Sequence, residues 1–412
     1  MEMNTKKAFL LCCCALLSAT FMFGQKFDVQ QLKVDVVYLA SDYLEGRETG
    51  KKGEQLAADY IAYRFEQLGL APKGDEGSYM NEFDFKQSNN PHATGGGEDK
   101  TGRNVVAYLD NGADNIVVIG AHYDHLGMGG FGSLYTGKPA IHNGADDNAS
   151  GIAAMLKIAA YLKQGHAKGN NYLFIGFSGE ELGLFGSKKY VDNPTIDLSK
   201  VNYMINMDMV GRLNEEKVLA VHGVWTSPAF PAVIDEIKVG GISPKPSNSG
   251  IGPSDHTSFY LKDIPVLHFF TGQHSEYHKP VDDAALVNYK GLNTVGNYII
   301  AVIEKLDKVG KMDFTKTKDE SQGRQASSFK VTLGVMPDYV SNDEGMKVDS
   351  VIEGRPGAEA GMQSGDIVIK MGDLEIKNIY DYMEGLGKYK KGESTTVVVK
   401  RGKGTKKLKV TF

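Results

Sequence analysis

Five runs in this chain are apolar at nearly every position: NVVAYLD (104–110), NIVVIGA (115–121), YLFIGFS (172–178), VNYMINM (201–207) and PVLHFF (265–270). A half-exposed strand alternates polar and apolar side chains; a run without alternation must be covered on both sides. Helical patterns separate several of these runs, including one that starts at Ser150. The predicted fold is α/β, with a mixed, largely parallel central sheet flanked by helices on both faces. Ahead of the runs, residues 32–70 read as two helices. The second carries Leu56, Tyr60, Ile61, Phe65 and Leu68 on one face, with Gly69 as its stop. SNNPHATGGGEDKTGRN (88–104) reads as a flexible surface loop.

Both ends of the chain differ in character from this middle. Lys6 and Lys7 precede an apolar stretch, Ala8 to Phe23, that is too short and wrongly flanked for a membrane span, and Gly24-Gln25 follows as a cleavage point. Residues 1–24 are therefore read as a signal peptide of an exported, periplasmic or secreted protein with no transmembrane segment after its removal. All three cysteines, Cys12, Cys13 and Cys14, lie inside it, which leaves the mature chain no thiol for a disulfide or a nucleophile. Leu11-Cys12-Cys13 fits poorly with lipid attachment at Cys14. Residues 25–310 form the first domain. KMDFTKTKDESQGRQASS (311–328) is charged and without period, a linker. Residues 329–412 hold short strands with turn signals and one helical segment, NIYDYMEGLGKY, a small β-rich domain of its own.

The chemistry collects at the strand ends. NIVVIGA runs into His122 and Asp124, YLFIGFS into Glu180 and Glu181, VNYMINM into Asp208, and PVLHFF is followed after a short loop by His278. In open α/β sheets the carboxyl edge is where ligands bind. Imidazoles and carboxylates from separate segments, with no thiol, make a donor set that suits zinc. With one carboxylate bridging, such a set can hold two ions. Adjacent glutamates at one strand end can then serve as a metal ligand, Glu181, and as a general base, Glu180. Taken singly, each residue has an ordinary reading: a helix N-terminus for Glu180-Glu181, capping for Asp146-Asp147, a core histidine for His268. His125, His142, His256 and His274 lie close to the motifs and read either as supporting residues or as surface. Their joint position is what favours a site. A net charge of −5 leaves no basic stripe for nucleic acid.

HYDHLG, GADDNASG, SGEELGLFGS, NMDMVGR and YHKPVDD, in that order, resemble the co-catalytic zinc exopeptidase family that includes secreted bacterial aminopeptidases, carboxypeptidase Q and the glutaminyl cyclases. The resemblance runs over about residues 33–308. It implies two zinc ions per chain, one held by His122 and Asp208, the other by Glu181 and His278, with Asp147 bridging; Asp147, not Asp146, stands three before the Ser of the Ser-Gly pair. It further implies that Asp124 accepts the second ring proton of His122, and that Ser254, Asp255 and His256 of GPSDHTSFY shape the substrate side of the cleft. The activity implied is that of an exopeptidase acting on peptides, an aminopeptidase in the first instance. A carboxypeptidase or dipeptidase is the alternative, with Arg212 or Arg47 holding a substrate carboxylate. The last domain resembles a PDZ domain, with Leu333, Gly334 and Val335 where the carboxylate-binding loop stands, which implies capture of peptide C-termini. A third reading makes that domain the active part, a peptide-binding scaffold, with the zinc domain structural.

Overall fold

A computed structural model describes residues 29–87, 98–130, 132–317, 331–337, 343–351, 354–377 and 379–412; the proposed signal peptide lies outside them. The first sheet has nine strands: β1 (Ala71–Pro72), β2 (Met80–Gln87), β3 (Glu98–Leu109), β4 (Ile116–His122), β5 (Asn171–Phe177), β6 (Val201–Met207), β7 (Val218–His222), β8 (Ser243–Pro246) and β9 (Val266–Phe270). Their order is β1-β3-β5-β4-β6-β9-β7-β8, with β2 also on β3. The four central strands, β5, β4, β6 and β9, are mutually parallel. Antiparallel pairings join β3 to β5 and β7 to β9, so the sheet is mixed.

Alternate residues of the central strands enter two separate cores, which is why the runs lack polar positions. Val117 and Ile119 of β4, Tyr172 and Phe174 of β5, and Tyr203 and Ile205 of β6 join one core. Helices α1 (Val29–Leu39), α2 (Lys52–Gln67), α3 (Gly151–Lys163), α5 (Phe230–Glu236) and α7 (Tyr289–Leu306) pack their apolar residues into the same core. Val118, Leu173, Ile175, Phe177 and Met204 face the other way, against Tyr190 and Val191 of α4 (Phe185–Asp192) and Phe259 and Tyr260 of α6 (His256–Tyr260). Full burial of side chains of this size stabilises by about 1.5–3 kcal/mol each.

Two readings are corrected. Of the segment read as a surface loop, residues 88–97 lie outside the described residues, and Glu98–Arg103 pair with β2 as the amino-terminal half of β3, from Gln87↔Glu98 to Glu82↔Arg103. Glu98 and Asp99 are exposed, and Lys100 and Arg103 are largely covered beside Glu48 and Glu54, so the segment carries no apolar signal. The first seven residues of the segment read as a linker are pinned to the first domain. Met312 is buried and its N–H donates to Asn202 Oδ1 at 2.8 Å, Thr315 N–H donates to Thr226 O at 2.8 Å, and Phe314 packs on Tyr260. Two apolar anchors among charged residues suffice to dock it.

The second unit is a six-stranded antiparallel sheet: β10 (Val335–Pro337), β11 (Met346–Val351), β12 (Ile367–Met371), β13 (Leu374–Glu375), β14 (Ser394–Arg401) and β15 (Gly404–Thr411). Helices α8 (Pro356–Glu359) and α9 (Ile379–Gly387) complete it, and Leu333, Val348, Val368, Leu386 and Val399 lie in its core. Leu333 O accepts the Gly357 N–H at the start of α8. The Gly334 N–H donates to Thr332 Oγ1 at 2.9 Å, so one loop donor already has an acceptor within the loop.

Candidate metal centre

The carboxyl ends of the parallel strands converge. β4 ends at His122, and the segments after β5, β6 and β9 deliver Glu180 and Glu181, Asp208 and His278. Asp147 comes from the irregular turn Ala145–Ser150 that leads into α3. That turn is held from below by the Asp282 carboxylate, which accepts the N–H groups of Asp146 and Asp147 at 3.0 and 3.1 Å. Asn148 bridges it to β6, donating to Met207 O and accepting from Met209 N–H.

Asp147 stands between two clusters. Its Oδ1 lies 3.3 Å from His122 Nε2, which is also 3.3 Å from Asp208 Oδ1. Its Oδ2 lies 3.2 Å from His278 Nε2, which is 3.1 Å from Glu181 Oε2. A tetrahedral ion with ligands at about 2.0–2.1 Å keeps neighbouring donors about 3.3 Å apart, so both clusters have the spacing of ligands around one zinc each. Asp146 is turned away: its Oδ1 accepts the Gly211 N–H at 2.6 Å and its Oδ2 lies 3.3 Å from His274 Nε2.

The charges fit a cationic guest. Burial opposes ionisation of Glu181, but His278 and His125 outweigh it and hold the carboxyl down at about 2. Burial likewise opposes ionisation of Asp147, which His122 and His278 nevertheless push well below the usual carboxylate range. Glu180 is different. Burial and then the neighbouring carboxylates Asp208, Glu181 and Asp255 raise it well above its ordinary value despite His122, so it is disposed to accept a proton.

Asp124 ties the clusters together. Its carboxylate accepts the N–H groups of Glu180 at 3.2 Å and Glu181 at 3.4 Å, and the Thr49 hydroxyl at 3.0 Å. The expected contact to His122 is made chiefly by its main chain: His122 Nδ1 lies 3.3 Å from Asp124 O and 3.6 Å from the carboxylate. A cavity of about 100 Å³ opens beside the clusters, lined by Glu180 and by His222, Pro253, His268, Phe270 and Tyr277. Ser254, Asp255 and His256, expected on its substrate side, are fully buried behind that wall. The wall residue from their segment is Pro253, because α6 begins at His256 and carries the following residues inward. Burial pushes Asp255 up to about 7 and His256 down to about 3. His268 is buried, as a core histidine would be, but also lines the cavity; its Nδ1 lies 3.1 Å from Asn206 Nδ2.

The two arginines considered as anchors for a substrate carboxylate are committed elsewhere. Arg47 is fully buried and donates to the carbonyls of Leu39, Tyr123, Asn143 and Gly144. Arg212 donates to Glu276 and to Leu286 O. Sequence reasoning missed Arg47 as a strut, Asp282 as the support of the Asp147 turn, and the place of His125, whose Nδ1 lies 2.7 Å from Glu181 Oε1. Only the nearness of His125 to HYD hinted at it.

A carboxyl-edge site of two nitrogen and oxygen clusters sharing one aspartate is the constitution of a two-metal hydrolytic centre. Residues 104–303 match peptidase family M28 and residues 331–412 match the PDZ domain; the chain carries an M28 domain followed by a PDZ domain. Aminopeptidase YwaD of Bacillus subtilis is 30% identical over 221 residues, which are 50% of this chain and 44% of that protein. Leupeptin-inactivating enzyme 1 of Streptomyces exfoliatus is 32% identical over 179 residues, 42% of this chain and 36% of that one. The chain thus spans less than half the length of either relative. The crystal structure of a zinc aminopeptidase from Bacillus subtilis shares the fold, with a TM-score of 0.55, 18% identity, and coverage of 70% of this chain and 98% of that one.

Proposed function

We propose that the chain is an exported zinc aminopeptidase, with residues 25–310 as its catalytic domain and residues 329–412 as a PDZ domain that presents or captures peptide C-termini. His122 and Asp208 hold one zinc, Glu181 and His278 the other, and Asp147 bridges them. The observation that carries this reading is the pair of Asp147 oxygens, each within 3.3 Å of a different histidine. Two zinc ions bound there supply a Lewis acid for the scissile carbonyl and an acidified water.

The protein's own groups do the rest. Glu180, half-buried and raised by its surroundings, takes the proton of the attacking water on its carboxylate and returns it to the leaving amine. His122 and His278 keep their ring orientation through carbonyls, Asp124 O at 3.3 Å and Gly132 O at 2.8 Å. The amino end of a substrate is favoured over the carboxyl end because the described cavity lining contains no Lys or Arg to hold a substrate carboxylate. Glu180 also argues against a purely structural zinc site, which has no use for a spare base.

Export rests on the basic and apolar amino terminus, and no helix among the described residues is long and apolar enough to cross a membrane. The test is mass spectrometry of a synthetic decapeptide and its amino-acetylated twin after incubation with the zinc-loaded protein. The expected result is a ladder shortened from the amino end, absent for the acetylated peptide; shortening from the carboxyl end would overturn the reading.

A further inference from the structure

The cluster around Glu181 holds one imidazole more than the ligand assignment uses. His125 is buried, at 2% exposure, and its Nδ1 lies 2.7 Å from Glu181 Oε1 and 4.0 Å from Asp147 Oδ2. His278 approaches the other oxygen, Oε2, at 3.1 Å. The carboxylate is therefore held from two sides by two different kinds of contact.

Distances separate the roles. His278 Nε2 keeps ligand-like spacings of 3.1 and 3.2 Å to Glu181 and Asp147. The His125 spacing of 2.7 Å is shorter than the roughly 3.3 Å edge around a zinc ion and matches a charge-assisted hydrogen bond. The second ring nitrogen gives independent support. A metal-ligating imidazole almost always donates its other N–H to a partner. His122 Nδ1 and His278 Nδ1 both face carbonyls, whereas His125 Nε2 is buried with no hydrogen-bond partner. Were Nδ1 the ligand, a neutral ring would carry its proton on that unpartnered nitrogen. The ring is also fixed in place. Its backbone N–H donates to Arg47 O at 3.2 Å, and a Cβ on Gly144, whose φ is +54°, would lie 2.6 Å from its Cγ and Cδ2.

We infer that His125 is a positioning residue for the second metal: its Nδ1–H donates to Glu181 Oε1 and leaves Oε2 to meet the ion beside His278 and Asp147. The inference rests on the two-zinc reading. Without this donor the Glu181 carboxylate is free to turn, and the second site loses preorganisation while the His122 and Asp208 site keeps its own.

The experiment is a competitive zinc titration of the chelator-stripped full chain, followed calorimetrically, for the parent, His125→Leu and His125→Asn. Leucine removes the donor; asparagine replaces it with a side-chain N–H on a shorter stem. Expected are two ions for the parent, one of them bound about tenfold to a hundredfold more weakly in His125→Leu, and substantial recovery in His125→Asn. Two ions bound with parental affinity by His125→Leu would overturn the inference. So would an asparagine variant as weak as the leucine variant, since that would make His125 a ligand. Thermal unfolding of the zinc-free proteins identifies a leucine variant that has merely lost its fold, and the asparagine variant then decides. A parent that binds fewer than two zinc ions would instead remove the two-zinc reading itself.

Discussion

Replacing Arg47 tests whether this cation is a strut or a substrate anchor. Its guanidinium makes four bonds to main-chain carbonyls, and two of the acceptors, Asn143 and Gly144, immediately precede the turn that carries Asp147. Hydrogen bonds to a charged group contribute about 1.5–3 kcal/mol each, so the four together amount to about 6 kcal/mol at the lower end. Arg47→Met also removes the cost of burying the charge, which is felt as a fall of its pKa to about 10. Breaking a buried charged arrangement from one side typically costs about 3–5 kcal/mol net, and that is the expected loss. It is a large part of a typical stability of about 5–15 kcal/mol, so the variant folds but is marginal. Arg47→Lys keeps the charge and up to three donors, and should recover about half. Urea denaturation of the zinc-free proteins, followed by far-ultraviolet circular dichroism, measures this. The reasoning is refuted if Arg47→Met is within about 1 kcal/mol of the parent. It is equally refuted if the variant keeps its stability and only raises KM for peptides with a free carboxyl terminus over their amides.

Glu180→Gln should keep both zinc ions and the fold while kcat falls about 10²- to 10⁴-fold; near-normal turnover would take the base role from Glu180. Asp147→Asn should lower zinc occupancy at both clusters, and elemental analysis finding two fully retained ions would sink the bridge. His222 and His256 are held by burial at about 4 and about 3, and His268 well below its usual value. Their folded pKa values are depressed, so their contribution is complete above the unfolded value of about 6.5 and is lost as pH falls toward 4, at up to about 1.4 kcal/mol per pH unit for each ring. Denaturation between pH 6.5 and 4.5 should show a shallower slope in His256→Leu than in the parent, and identical slopes would refute the assignment. Deleting residues 329–412 should reduce processing of long peptides more than that of dipeptide substrates; equal turnover of every length would deny the PDZ domain a part in processing.

The parallel core was legible because burial on both faces leaves no polar position to confuse the pattern, as in the wholly buried β4, β5 and β6. The edge ribbon of β2 and β3 was not. MNEFDFKQ alternates polar and apolar residues but EDKTGR has no apolar side chain, and the strand is set by pairing between segments apart in sequence, not by local preference. The convergence of acids and histidines at the strand ends was readable from the order of strands and acids. The choice of Asp147 over Asp146 was not readable from the residues themselves, since both precede a helix and both are fully acidic; only the resemblance favoured one. In the structure the Asp282 carboxylate binds both N–H groups and the two side chains diverge, one between the histidines and one toward Gly211 and His274. Arg47, read as a possible anchor for a substrate carboxylate, instead sits at a positive φ of +49° in a turn, with its side chain fully buried and donating to main-chain carbonyls.

Two glutamates in sequence at a strand end make sense once Asp124 is considered. Neighbouring carboxylates repel, and a free turn would let either one take either role. Here one acidic side chain accepts the N–H of both residues while the carbonyl of the same aspartate faces His122. The turn is thereby registered against the first metal cluster, Glu181 is directed to His278 and His125, and Glu180 is left lining the cavity. The environments then push the pair apart: Glu181 is surrounded by imidazoles and stays ionised, and Glu180 faces other carboxylates and holds a proton readily. On the proposed function, the division of labour between ligand and base follows from the backbone turn and its acceptor. Neither glutamate could be assigned its role from its own chemistry, because the two side chains are identical.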